Sequence, residues 1–434
     1  MTNRVGTGDS AASAFPLNAE QRAAVEHGEG PLLVVAGAGT GKTRVITERI
    51  RRLLEENPEL AGENILALTF TDKAAGEMKH RVVKAVGERA EGVWLSTFHK
   101  FCMEKILREA AADAQALEDI DHWILLRRHI GELGLQHFKR LQEPGEFLSD
   151  FVKFFSRCQD ELVSPDDYDR FVEGLREKHA RLRPTLEGDA LEIAEENLAR
   201  QEELARVYRT SERLLRERKL LTFGAQLLRA VELLRADAAL LARLREQYRY
   251  ILVDEFQDTN IAQLELLWLL AGSSAVAGQS GGKCGNILAV GDHNQAIYRF
   301  RGASFGSFTY FLESFCGLGK GARGAQAKKY LVSLARNYRS TQRILNVAHA
   351  VIENNEQSPL LPSSKLETEH REGERVRVVE FGTPEEEAHW VASEIDRLHE
   401  AGAKWRAMAV LYRKHSHRAQ LLEALRRRGI PFAI

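Results

Sequence analysis

The sequence predicts an α/β protein: a parallel-sheet domain interrupted by an all-helical block, followed by the start of a second α/β domain. Three observations predict it. Short apolar runs of strand length alternate with helical periodicity near the beginning. Strand signals vanish from about residue 103 to 245, where long charged amphipathic helices take over. The alternation then resumes and continues to the last residue.

Taken in order, PLLVVA (31–36) and ILALTF (65–70) read as buried parallel strands. Between them Val45, Ile46, Ile50, Leu53 and Leu54 recur at helical spacing, so a helix crosses over the sheet. In the helical block, Phe147, Phe151, Phe154 and Phe155 share one helix face and predict a local core. Strands return with YILVDE (250–255) and NILAVGD (286–292), the latter after a Gly/Ser-rich stretch, 272–285, expected to be mobile. After a second Gly-rich stretch, 316–329, the runs RVRVVEF (375–381), MAVLYR (408–413) and IPFAI (430–434) read as strands separated by helices. The expected division is a flexible tail over 1–14, a first domain over 15–110 and 216–305, a helical insertion over 111–215, and an incomplete second domain over 325–434.

With 434 residues the chain can build several cores, and 44% hydrophobic with 28% charged residues is ordinary for a globular protein. A formal net charge of -1 makes no case for a polyanion partner of the whole chain, so any nucleic-acid surface is local. Cys102, Cys158, Cys284 and Cys316 lack CxxC spacing, which argues against a zinc site and a disulfide framework and suits a reducing cytoplasm. No run approaches the ~20 apolar residues of a membrane span, and the N-terminus has no apolar core of signal-peptide length.

AGAGTGKT follows a strand and precedes a helix, the context in which backbone N–H groups wrap a phosphate chain. Its members are Ala36, Gly37, Ala38, Gly39, Thr40, Gly41, Lys42 and Thr43. Lys42 would reach the β and γ phosphates of ATP and Thr43 would place its hydroxyl on Mg²⁺. DEFQDT (254–259) supplies two carboxylates at a strand end, Asp254 to hold Mg²⁺ and Glu255 to take a proton from the attacking water. Lys42 and Asp254 lie 212 positions apart, a separation that the helical insertion accounts for. Upstream, Gln21 in LNAEQRAAV carries an amide able to pair with the N6 and N7 edge of adenine.

These motifs, with TFTDKAAGEM, STFHKFC, VGDHNQAIYRFRGA, LARNYRS and LYRKHSHRAQLLEALRRRGIPF in the same order, resemble the UvrD/Rep family of superfamily 1 DNA helicases from about Leu17 onward. The resemblance implies a RecA-like P-loop NTPase motor that moves 3′ to 5′ on single-stranded DNA and acts at single/double-strand junctions, with repair or recombination proteins as partners. It implies single-stranded DNA at Thr69, Phe70 and Thr71 and at Thr97, Phe98 and His99, with Phe70 stacked on a base. It implies that Gln295 senses the γ-phosphate, while Tyr298 and Phe300 offer flat faces to bases and Arg299 and Arg301 offer charge to phosphates. Arg339 would reach the γ-phosphate from the second domain, where such an arginine contributes about 10³ to 10⁵ in rate.

The chain departs from the family at several points: Asn294 and Ala296 stand for Asp and Ser, Phe300 for the frequent Trp, Asp72 for Asn, and LTFGAQLL (221–228) for an acidic DFDDLL. Family members continue past the GIPF element into an accessory domain and further motifs, so weak unwinding by these 434 residues alone is expected. Two other readings stay open: a catalytically impaired ATP- and DNA-binding module, and the motor portion of a larger helicase-nuclease.

Overall fold

The computed structural model describes residues 16–108, 113–139, 145–272, 284–298, 306–319, 324–355, 361, 365–370 and 372–434. The tail expected over 1–14, most of the first Gly-rich stretch and residues 320–323 of the second lie outside the described residues. The chain divides into two compact units, 1–372 and 373–434.

The first unit is built on a sheet. Its strands are β1 (Leu32–Ala36), β2 (Ile65–Thr69) and β3 (Trp94–Thr97). After a short pair, β4 (Gln115–Leu117) and β5 (Leu220–Thr222), come β6 (Tyr250–Val253), β7 (Asn286–Gly291) and β8 (Leu331–Leu334). The six-stranded sheet has the order β3-β2-β6-β7-β1-β8, and every ladder is parallel. β1 explains why: all five residues are buried, with Leu33 and Val35 in one core cluster and Leu32, Val34 and Ala36 in the other. A strand covered on both faces carries no polar alternation, the pattern of a parallel sheet between helical layers.

Helices α1 (Ala19–Val25), α2 (Lys42–Glu56) and α3 (Asp72–Val86) accompany the first strands. Asn18 starts α1 through a reciprocal capping box with Gln21, and Thr71 starts α3 by accepting the Ala74 N–H. A short turn, α4 (Phe98–Phe101), follows β3. The expected strands 31–36, 65–70, 250–255 and 286–292 are all present. β3 and β8 differ from expectation. Neither WLST nor LVSL is among the expected strands, and β8, which falls inside the expected second domain, pairs with β1 through Leu33↔Leu331 to Ala36↔Leu334. Hydrogen bonding to an otherwise open edge of β1 satisfies backbone groups that a domain boundary there would have left bare.

The helical insertion leaves and returns at one stem, the parallel pair β4·β5. It contains α5 (Asp119–Arg128), α6 (Leu148–Asp160), α7 (Pro165–Leu182) and α8 (Gly188–Glu217). The aromatic face of α6 forms its core as expected: Phe155 stacks on fully buried Tyr208 with ring centroids 4.7 Å apart, and Phe151 and Leu148 are buried beside them. Tyr208 keeps its hydroxyl satisfied by donating to the Val163 carbonyl at 3.0 Å. Buried Glu203 is tolerated for a similar reason, because its carboxylate accepts the consecutive N–H groups of Gln136, His137 and Phe138.

Helices α9 (Phe223–Ala236), α10 (Ala238–Gln247) and α11 (Ile261–Ala271) return the chain to the sheet. The insertion is tied to them by polar contacts. Gln159 accepts the Thr222 hydroxyl at 2.8 Å, and the Asp160 carboxylate accepts the Asn260 side-chain N–H at 2.7 Å.

The second unit pairs Pro384–Glu400 with Arg418–Arg427 around Ala388, Ala392, Ala424, Leu425 and Ile430. Strands expected at 375–381, 408–413 and 430–434 are not formed among the described residues. None of the three has a neighbouring ladder, and Val378 and Leu411 are 96% and 95% exposed.

Burial pushes the Asp160 carboxyl up to about 7, with Arg157 and the Asn260 hydrogen bond opposing it and Glu161 and Asp119 adding to the rise. A folded-state value above the unfolded one means that stability present below about pH 4 is lost as pH rises towards 7. Asp160→Asn, which keeps an acceptor for Asn260, is expected to lessen that loss between about pH 4 and 7 by roughly 2 kcal/mol, half of the full shift because the group is partly exposed. Urea unfolding of both proteins across that range measures it; identical pH slopes would exclude Asp160 as the source.

Candidate nucleotide and nucleic-acid site

Parallel register brings the C-terminal ends of the central strands to one edge, since Leu68 pairs with both Ser96 and Val253, and Val35 pairs with Gly291. The chain segments that follow those ends hold the residues singled out from the sequence.

The phosphate loop joins β1 to α2. Gly39 and Gly41 have φ of +74° and +92°, a left-handed backbone that glycine adopts without strain. Four consecutive carbonyls of the loop are occupied. Gly37 accepts the Thr40 hydroxyl at 2.8 Å, Ala38 accepts the Asn337 amide at 2.6 Å, Gly39 accepts the Tyr338 N–H at 2.8 Å, and Thr40 accepts the Gln21 amide at 2.9 Å. With the acceptors taken, what the loop has left to offer is N–H groups, including those of Lys42 and Thr43 in the first turn of α2, which have no intrahelical acceptor. An anion is the ligand that such a concavity fits.

Gln21 is fully buried, and its amide is engaged at both ends, donating to Thr40 and accepting the Asn18 N–H. It therefore braces the phosphate loop; one further N–H and one further lone pair are all it retains for a base edge. Arg339, expected to approach from the second domain, lies in the same compact unit as the loop. A Cβ on Gly39 would meet the Arg339 Cβ at 2.7 Å, and Asn337 Oδ1 holds the Arg339 and Ser340 N–H groups. By joining the sheet beside β1, β8 delivers residues 336–339 directly to the loop.

Across the site, Lys42 Nζ pairs with Glu255 Oε2 at 2.5 Å. Glu255 has φ +49°, a backbone conformation disfavoured for a non-glycine residue. Asp254 is 5% exposed; burial first, and the Glu255 charge second, push its carboxyl up to about 6 against the pull of Lys42. Asp258 is raised to about 6 by the same pair of causes, and its Oδ1 is buried without a hydrogen-bond partner among the described residues. Carboxyls held above their ordinary range are relieved by a nearby cation, so Asp254, with the Thr43 hydroxyl at the start of α2, fits a Mg²⁺ that keeps most of its waters. No group of three or more His, Cys, Asp or Glu side chains suited to a metal occurs among the described residues, which excludes none of this, because Mg²⁺ needs few protein ligands.

At the end of β7, Gln295 donates to Asp292 Oδ2 at 2.7 Å. Tyr298 stacks on Phe70 with centroids 5.0 Å apart and planes at 24°. Thr71 and Thr97 serve as helix N-caps. The remaining expectations for this track divide. His99 lies edge-on to Phe223, and burial pushes it down to about 4 against the Asp72 charge, so it is neutral at pH 7. Phe98 is 3% exposed and packs in the main core with Phe101 and Leu33. Thr69 is likewise buried, at 1% exposure. Arg299, Phe300 and Arg301 lie outside the described residues.

Sequence reasoning missed Asn337, Tyr338, Asp292 and Gln257. The first two lie in a quoted motif, but their contacts with Ala38 and Gly39 span about 300 positions, which no local pattern reveals.

A glycine-rich phosphate loop, a glutamine after the neighbouring parallel strand and paired carboxylates at the tip of the strand beyond it define a P-loop nucleotide-binding α/β protein. Residues 17–316 match the UvrD/REP helicase N-terminal domain, and residues 332–434 match the UvrD-like helicase C-terminal domain. Similar curated proteins include the ATP-dependent DNA helicase PcrA of Staphylococcus epidermidis, 33% identical over 424 residues, covering 96% of this chain and 50% of that protein. The PcrA of Staphylococcus aureus strain Mu50 is 32% identical with the same coverage. The chain belongs to the UvrD/REP helicase family, and it spans about half the length of the curated relatives it matches. No helix among the described residues is long and apolar enough to cross a membrane.

Gly41→Ala is expected to destabilise the protein by about 1–3 kcal/mol, because φ is +92° and the new Cβ would lie 2.8 Å from Gln21 Nε2. Urea unfolding measures the cost, and an unchanged midpoint would show that Gln21 moves freely.

Proposed function

We propose that the chain is the motor of an ATP-dependent DNA translocase that moves 3′ to 5′ on single-stranded DNA and works at junctions with duplex, in the cytoplasm, in repair, replication or recombination. The observation that carries this reading is that the Lys42–Glu255–Asp254 cluster and the Phe70–Tyr298 pair follow strand ends on one sheet edge. Relatives bearing the printed name ATP-dependent DNA helicase support it.

In this reading, phosphate oxygens bind the loop N–H groups and draw the Lys42 ammonium away from Glu255. Glu255, released from its cation, accepts a proton from the water that attacks the γ-phosphate. Thr43 and Asp254 would hold Mg²⁺, which when bound would supply positive charge to the phosphates. Gln295 and Arg339 complete the contacts to the γ-phosphate, while Gln21 holds the loop's shape and keeps limited capacity for adenine. Phe70 and Tyr298 offer flat faces that stack on any base, a sequence-tolerant grip suited to stepping. Thr71, Thr97 and His99 border the same track, and Arg299, Phe300 and Arg301 belong to this reading as further DNA contacts.

Phosphate release with and without oligo(dT) tests the reading. Lys42→Ala is expected to lower kcat by about 10²- to 10³-fold; full turnover by that variant would overturn the site assignment. Phe70→Ala is expected to weaken oligo(dT) binding roughly five- to 150-fold, the equivalent of losing one base stack. Fluorescence anisotropy reads it, and unchanged affinity would remove Phe70 from the DNA track.

A further inference from the structure

We propose that Gln257 is the positioning residue that links the nucleotide site to the DNA-facing aromatic pair, an inference that rests on the function proposed above. Its side chain is 2% exposed and spans the gap between two strand ends. Nε2 donates to Glu255 Oε2 at 2.8 Å and to Asp258 Oδ2 at 3.3 Å, while Oε1 accepts the Asp292 N–H at 3.0 Å. On one side, Glu255 Oε2 is the same oxygen that pairs with Lys42. On the other, Asp292 organises the turn after β7, its Oδ1 accepting the Asn294 N–H and its Oδ2 the Gln295 amide. The Gln295 carbonyl then accepts the Ile297 N–H at 2.8 Å, next to Tyr298 in its stack on Phe70.

The chain of contacts runs from the ammonium to the residue beside the aromatic ring, and it crosses between the ends of β6 and β7 on the Gln257 amide. When phosphate oxygens draw Lys42 away, Glu255 Oε2 loses its cation and keeps the Gln257 N–H. A planar amide whose far end grips the backbone of β7's tip converts that local change into a displacement of Asp292 and Gln295. The site is moulded to it: a Cβ on Gly291 would lie 2.5 Å from Gln257 Oε1, so the strand end has no room for a side chain. Only an amide of this length donates towards two carboxylates and accepts a backbone N–H at once. Glutamate would face Glu255 and Asp258 with a third carboxylate, and leucine would fill the space with neither group.

The test is a coupling measurement, which requires no turnover. Dissociation constants for labelled oligo(dT) are measured with and without a Mg²⁺-bound non-hydrolysable ATP analogue, and their ratio is the coupling factor. The wild-type factor is expected to be on the order of tenfold. Gln257→Leu is expected to bring it to about one while each ligand's affinity measured alone stays within about threefold. Gly291→Ala, which displaces the amide from a different strand, and Gln257→Glu are expected to do the same. A residue that merely filled the core would lower the melting temperature and leave the ratio intact. A wild-type factor of one, or a wild-type factor retained in any of the three variants that folds, overturns the proposal. If wild type binds neither ligand, the functional reading itself fails.

Discussion

The parallel register of β2, β6, β7 and β1 is the constraint on which the site depends. These strands are buried on both faces, so a slip of one residue would swap the two side-chain sets between cores shaped for different residues. Register is thereby set by packing, and packing sets where each strand ends. Ala36, Thr69, Val253 and Gly291 finish at one edge, and the polar segments that follow them meet there. Residues 254 and 42 are far apart in sequence, yet the sheet closes that distance while the helical insertion leaves through its own two-stranded stem.

At that edge electrostatics takes over from packing. Glu255, Asp254 and Asp258 crowd around one ammonium group, and Asp254 and Asp258 are held near 6 by burial first and by the Glu255 charge second. Glu255 adds a strained backbone, of the kind that costs on the order of 1–3 kcal/mol and persists only where the surroundings impose it. Its neighbours impose it here: Asp254 Oδ1 accepts the Glu255 N–H at 3.0 Å, and Lys42 and Gln257 hold the same carboxylate oxygen. A polyanion accompanied by a divalent cation matches such a site, with phosphates for the loop and Lys42 and the cation for the carboxyls.

What was legible in the sequence was local. The phosphate loop, the four inner strands and the aromatic face of α6 each declare themselves within a short window, through glycine spacing, apolar runs or helical periodicity. Phe98 shows the limit, since a phenylalanine just past a strand end can face ligand or core, and here the turn that follows β3 carries it inward beside Phe101. Gln257 stood inside a recognised motif, but its meaning depends on Asp292, 35 positions away, and nothing near it betrays that partner. The apolar runs of 373–434 satisfy every local criterion for strands and form no ladder, because a strand is completed only by the backbone beside it.

The place of β1 in the sheet gives the nucleotide loop two neighbours of different kinds. On one side β7 ends in the turn that carries Gln295, and on the other β8 runs into Asn337, Tyr338 and Arg339. Both connections are hydrogen bonds to backbone rather than loose side-chain contacts: Gln257 holds the Asp292 N–H, and Asn337 and Tyr338 hold carbonyls of the phosphate loop itself. Gly39 is pressed so closely by Arg339 and Asn337 that no side chain fits between them. A rearrangement of the loop around phosphate therefore has to be shared with β8's extension, while a change at Glu255 has to be shared with β7's tip. Glu255 and the loop are themselves joined through Lys42, so the two routes diverge from a single ion pair.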